Sequence, residues 1–245
     1  MPIRIAMWSG PRNISTAMMR AWGSRADTAV TDEPLYGVYL RERPEVNHPG
    51  REEVIAAMET DWRRVAAGLV GPVPGGREVW YQKHMAHHLV EGVGREWVFG
   101  GALTNCFLIR DPREVLVSLA KVMPSPELRD TALPQQVELV EAERARTGLM
   151  PPLLDAKDVL LDPRGMLSAL CAAVGVAFDE RMLRWEGGPR RTDGVWAKHW
   201  YANVAKSTGF EAYRERDEPL PRGLEGVLER ARELYEGLHR CRLVK

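Results

Sequence analysis

Neither sign of charge is in excess: 34 lysines and arginines stand against 34 aspartates and glutamates, so the formal net charge is zero. Nonspecific nucleic-acid binding draws on a surplus of cations facing phosphates, and the balance argues against it. Local basic clusters for a small anion remain open. Cysteine is scarce. Cys106, Cys171 and Cys241 are odd in number, widely spaced and without a C-x-x-C pair, which speaks against a disulfide framework or a cysteine zinc site and for a reducing, cytoplasmic home. No apolar run approaches the roughly 18 residues of a membrane span. The opening Met1-Pro2-Ile3-Arg4-Ile5-Ala6-Met7-Trp8 has no long apolar h-region and reads as a strand rather than a signal peptide. Internal repeats, low-complexity tracts and composition shifts are also missing, so residues 1–245 read as one domain.

Apolar runs of strand length alternate with longer segments of helical period, which predicts a three-layer α/β/α fold around a mainly parallel sheet. The expected strands are Ile3 to Trp8, Thr28 to Thr31, Val79 to Gln82, Thr104 to Ile109 and Pro151 to Leu154. The expected helices are Ser15 to Trp22, Arg51 to Leu69, Glu114 to Val122, Gln135 to Arg146, Gly165 to Val174 and Arg222 to His239. Asp111-Pro112 supplies an N-cap followed by proline at the first helical position. The stretch from Gly187 to Ser207 is rich in glycine, arginine and tryptophan with weak periodicity. A loop of that length is functional or disordered, and Trp196, Trp200 and Tyr201 argue for order.

Two clusters bear on chemistry. Strand one delivers Ser9-Gly10-Pro11-Arg12-Asn13-Ile14-Ser15-Thr16 directly before a helix. A tight loop there aims backbone N–H groups and the positive end of the helix dipole at one spot. Arg12 adds a permanent fork-shaped charge, and Ser15 and Thr16 add hydroxyls. The alternative is a helix start capped by Ser15 beside a solvated arginine. It is no Walker A loop, because Gly-Lys-Ser/Thr is missing. The second cluster, Leu108-Ile109-Arg110-Asp111-Pro112-Arg113-Glu114-Val115-Leu116-Val117-Ser118, places Arg110 at the carboxyl end of a buried strand, where ligands of open α/β sheets collect. Ser118 follows nearly two helical turns later. Pairing of Arg110 with Asp111 and a back-bonded serine is the competing reading.

Together the clusters resemble the signature of sulfotransferases that use 3'-phosphoadenosine 5'-phosphosulfate (PAPS). Pro11, Arg12, Asn13, Ile14, Ser15 and Thr16 stand in the places of that family's 5'-phosphosulfate loop, after Gly10. Arg110, Asp111, Pro112 and Ser118 reproduce its 3'-phosphate element, spacing included. Leu154-Asp155-Ala156-Lys157-Asp158-Val159-Leu160-Leu161-Asp162-Pro163 is similar to the family's late strand, acidic turn and helix. Ile14 departs from a usual loop glycine, and Ala156-Lys157 from a tyrosine-containing turn. Similarity also extends to a bacterial and plant subgroup, some of whose members are labelled aminotransferase-like; no residue here marks a pyridoxal-phosphate lysine.

The resemblance implies sulfuryl transfer from PAPS to a small-molecule acceptor, without a metal, nucleic-acid or membrane partner. Arg12, the loop amides and Ser15/Thr16 would neutralise the departing phosphate, and Arg110 and Ser118 would hold the 3'-phosphate. A base must take the acceptor's proton. Glu33 is one candidate, ending a short strand and kept extended by Pro34. Lys83-His84 is the rival: Lys83 would touch the sulfuryl group while His84 or His88 acts as base. His84, His87 and His88 also have helical spacing that suits a metal, though no acidic ligand pattern accompanies them. Residues 187–210 fall where the family has a late closing loop. The resemblance makes them a lid whose basic residues, Lys198 among them, reach the 3'-phosphate and whose aromatics frame the acceptor pocket, with stacking of Trp196 on adenine an unplaced option. The alternative makes Trp196, Trp200 and Tyr201 core anchors. The competing functions are a P-loop kinase or hydrolase and a noncatalytic nucleotide-binding module.

Overall fold

The computed structural model describes residues 2–215 and 217–244. Its strands are β1 (Ile3–Ser9), β2 (Thr28–Asp32), β3 (Val79–Met85), β4 (Thr104–Ile109) and β5 (Leu153–Asp155). They pair in the order β2-β3-β1-β4-β5, every pair parallel. The helices are α1 (Ser15–Gly23), α2 (Tyr36–Glu42), α3 (Arg51–Ala57), α4 (Trp62–Val70), α5 (Glu96–Phe99), α6 (Pro112–Leu119), α7 (Leu133–Thr147), α8 (Ala156–Leu161), α9 (Pro163–Val174), α10 (Ala197–Trp200) and α11 (Glu225–His239). Among the described residues, no helix is long and apolar enough to cross a membrane.

Side chains alternate across the sheet with the two-residue period of a strand. Ile5, Met7, Tyr81 and Leu108 face Met18, Met19 and Trp22 of α1 and Leu167 and Leu170 of α9. Ala6, Trp8, Phe107 and Ile109 face Leu139 and Val140 of α7 and Ala231 and Leu238 of α11. Both faces are thus covered, as an all-parallel sheet requires, and three layers result. Buried Gln136 of α7 satisfies two carbonyls at the strand ends, donating to Trp8 O at 3.0 Å and Leu108 O at 3.1 Å.

The expected helix from Arg51 to Leu69 is two helices. Asp61 caps a new start, accepting from Arg63 N at 2.9 Å, and Met58 before it is extended. An aspartate that bonds its own downstream amide ends one helix as readily as it begins another. Strand β3 runs three residues beyond its expected end at Gln82, and this places Lys83 and His84 on opposite faces of the sheet. The chain visits β2 on one side of β1 and later β4 on the other, so the switch in strand order falls beside β1. The carboxyl ends of β1, β2, β3 and β4 meet at that crevice, the usual ligand position of such folds.

Candidate functional site

Gly10 leaves β1 beneath the 128–132 turn, where a Cβ would lie 2.5 Å from Thr131 O. Only glycine permits that approach. Arg12 follows at φ 57°, in the left-handed region. Asn13 pins the loop, donating from Nδ2 to Leu108 O at 3.1 Å and accepting from Ile14 N at 2.8 Å. The N-cap of α1 is Ile14, not Ser15, and no side chain caps this helix start. Its first-turn amides are therefore available to an anion. Ile14 sits at φ −90°, a conformation open to any residue, and packs against the core.

Arg110 reaches the same place. Its Nε and Nη2 donate to Glu114 Oε2 at 2.9 and 2.6 Å, and its Nη1 donates to the backbone carbonyl of Arg12 at 3.0 Å. Arg12 Nε donates to Ser118 Oγ at 2.9 Å. The pairing of Arg110 with Asp111 does not form, because Asp111 is committed to capping α6 through Arg113 N and Glu114 N. The two sequence clusters are thus stitched together on one wall of a cavity of about 550 Å³, which Glu33 and Lys83 also line.

Glu33 is nearly buried, and its backbone is not extended as Pro34 would favour: φ is 41°. Its amide donates to Lys83 O at 2.9 Å, continuing the β2–β3 ladder, and its carbonyl accepts from Tyr36 N, which starts the turn into α2. Lys83 Nζ donates to Asp32 Oδ1 at 2.8 Å, Glu33 Oε1 at 2.5 Å and Tyr201 Oη at 2.7 Å. An ammonium has three protons, and all are spoken for. Tyr201 donates in turn to Asp32 Oδ2 at 2.7 Å. Burial pushes the Glu33 carboxyl up, Lys83 pulling against it and Asp32 adding to the rise. Burial works against the Lys83 ammonium too, but Asp32 and Glu33 outweigh it and hold its pKa well above the usual value.

The histidines divide. His88 Nε2 lies 3.9 Å from Glu33 Oε2, and its ring stacks against both Tyr36 and Tyr39, each centroid 4.7 Å away and the two 6.3 Å from each other. Burial first, then His87, drives its pKa well below the ordinary value, so it is neutral. His84 does not reach the cavity. It lies on the opposite sheet face, stacked on Trp8 at 4.2 Å and bonded to Gln82 at 3.2 Å, with its pKa lowered by burial to about 3. Strand geometry thus removes it from the candidate bases and breaks the helical spacing of the three histidines. Among the described residues no group of three His, Cys, Asp or Glu is placed to hold a metal ion.

A family model described as a sulfotransferase domain matches residues 3–240. The chain belongs to the sulfotransferase family. It is 33% identical over 234 residues to branched-chain-amino-acid aminotransferase-like protein 1 of Arabidopsis thaliana, covering 96% of this chain and 41% of that protein. It is 32% identical over 239 residues to protein 2 of the same name and organism, covering 98% and 42%. The chain therefore spans about two fifths of the length of these curated relatives. Its fold is similar to the sulfotransferase domain of the Synechococcus PCC 7002 olefin synthase, with TM-score 0.58, 16% identity and coverage of 96% of this chain and 95% of that one. It is also similar to a sulfotransferase from Alicyclobacillus acidocaldarius, with TM-score 0.54, 14% identity and coverage of 100% and 97%.

Within this sulfotransferase domain the late segment differs from its expected form. Trp196 is buried against Tyr36, with ring centroids 5.1 Å apart, and is a core anchor rather than a cavity wall that could stack on adenine. Lys198 turns outward to Glu53, away from the anion elements, because α10 directs it to the surface beside α3. Asp193 forms a buried ion pair with Arg20 of α1 at 2.8 Å. The part that lines the cavity begins at Trp200 and Tyr201 and includes residues up to Tyr213, Arg214 and Glu215. Four polar residues at or behind the cavity wall were not singled out from the sequence, namely Asp32, Glu114, Tyr213 and Arg214, and Tyr201 was read there only as an aromatic of the late loop. Asp32 had a signal in its place at a strand end beside Glu33. The hydrogen bonds of Tyr201 and Tyr213 had none, since they span 169 and 99 residues of chain.

Proposed function

We propose that this chain transfers a sulfuryl group from PAPS to a hydroxyl or amine of a small-molecule acceptor. The observation that carries the reading is the joining of Arg12 and Arg110 on one wall of a cavity that also holds the buried Glu33. The residues present fit the donor. Uncapped first-turn amides of α1, Arg12, Ser15 and Thr16 suit the 5' end, and Arg110 and Ser118, with Arg214 facing the same cavity, suit the 3'-phosphate. The donor supplies the sulfuryl group, whose bond to a phosphate oxygen breaks as one to the acceptor oxygen or nitrogen forms.

The chain's own residues would act by placement and charge. Arg12 and the α1 amides neutralise charge on the departing phosphate. Glu33 takes the acceptor's proton at Oε2, the oxygen that Lys83 leaves free. Lys83, with its three protons committed, positions that carboxylate rather than reaching the sulfuryl group. His88 stays neutral and walls the acceptor space. Calorimetry with adenosine 3',5'-bisphosphate and with ATP tests the donor: the bisphosphate should bind and ATP should not compete with it. Tight ATP binding with no response to the bisphosphate would discard the reading. A transfer assay with labelled PAPS then separates turnover from mere binding.

A further inference from the structure

Between the two anion elements lies a carboxylate that was assigned no role from the sequence. Glu114 is the third residue of α6, a position where a glutamate ordinarily sits in solvent near the helix N-terminus. Here its side chain is one-tenth exposed. Oε2 accepts two N–H groups of Arg110, and Oε1 accepts the Tyr213 hydroxyl at 2.7 Å. Paired N–H bonds to a carboxylate fix the plane of a guanidinium. With Nη1 also bound to Arg12 O, three of the five guanidinium protons are placed, and two remain for a ligand. Arg12 is the residue with φ 57°, a backbone state that persists only where its surroundings hold it.

We propose that Glu114 is the positioning residue of the donor site: by fixing Arg110 it sets the guanidinium and the Arg12 backbone together, and Tyr213 fastens residues 207–215 to the same carboxylate. The inference rests on the reading that Arg12 and Arg110 bind the donor. It places one internal anion behind two cations that face a ligand anion, so orientation outweighs the like charge. The tyrosine stays a donor throughout, since burial and then Glu114 push its pKa up to about 12.

The test uses the full chain with Glu114→Ala, Glu114→Gln and Tyr213→Phe, each checked for folding by thermal unfolding. Two readouts are taken: amide hydrogen exchange of residues 10–16 without ligand, and calorimetric affinity for adenosine 3',5'-bisphosphate. Losing charged hydrogen bonds to Arg110 should make loop exchange faster in Glu114→Ala and weaken the bisphosphate by about tenfold or more. Glu114→Gln, which keeps one acceptor oxygen, should restore part of both, and Tyr213→Phe should shift them less in the same direction. Should Glu114→Ala misfold, the other two variants carry the test. Unchanged loop exchange overturns the proposal. So does tighter bisphosphate binding by Glu114→Gln, which would make the carboxylate a competitor of the phosphate. If the wild-type chain binds no bisphosphate, the donor reading falls instead, and loop exchange alone decides the role of Glu114.

Discussion

Glu33 and Lys83 form a unit in which neither charge is tolerable alone. Two carboxylates, Asp32 and Glu33, share one buried ammonium, and burial lifts the Glu33 pKa above its usual 4.5. As a base the carboxylate must be ionised, so turnover should fall as pH drops through that raised value, with an acid limb above pH 4.5. Glu33→Gln should lose about a hundredfold or more in kcat while keeping its affinity for the bisphosphate; undiminished turnover would move the base elsewhere. Lys83→Ala strips both carboxylates of their counter-ion, which should cost about 3–5 kcal/mol in urea unfolding. Any protein that still folds should show its acid limb shifted to higher pH.

At the scale of elements, α1 starts from the loop of residues 10–14 and is held from behind by the Arg20–Asp193 pair, whose side chains are 3% and 6% exposed. Asp193 also accepts from Arg190 N at 2.7 Å. Asp193→Ala leaves Arg20 buried and unpaired, so we expect a loss of about 3–5 kcal/mol and faster proteolysis within residues 187–207 under native conditions. Unchanged cleavage would mean the segment is held by Trp196 and Tyr201 alone. The strands and main helices were legible in the sequence because apolar periodicity and caps are local. The break at Asp61 was less so, because the apolar spacing of Val54, Ile55, Met58, Trp62, Val65 and Leu69 runs across it. The loop before α1 and Arg110 could be read because each motif is contiguous. Their mutual hydrogen bonds, and the seats of Tyr201 and Tyr213, depend on pairing across the fold and leave no local trace.

For the molecule as a whole, the buried histidines set the response to acid. His84 and His87 are lowered to about 3 and His48 to about 4, each chiefly by burial, and His88 lies well below the ordinary value. Below pH 6.5 the unfolded chain binds protons that the folded one refuses. Stability should therefore fall as pH falls from 6.5 toward 3, by a slope approaching about 1.4 kcal/mol per pH unit for each such histidine. Glu33 and Asp155 act in the opposite sense, since their raised pKa values make the folded state bind a proton first, but they are two groups against four. Urea midpoints between pH 7 and 5 measure the sum; a flat profile would show these rings to be accessible.

The stacking of two phenol rings against His88 has a spectroscopic consequence. Ring currents from the two stacked tyrosines should carry its carbon-bound protons upfield, apart from those of the other five histidines. On the proposed reading that resonance is a native reporter at the acceptor wall: a compound entering beside Glu33 would perturb the stacked rings and move the signal, letting acceptors be screened by chemical shift before any turnover is detected.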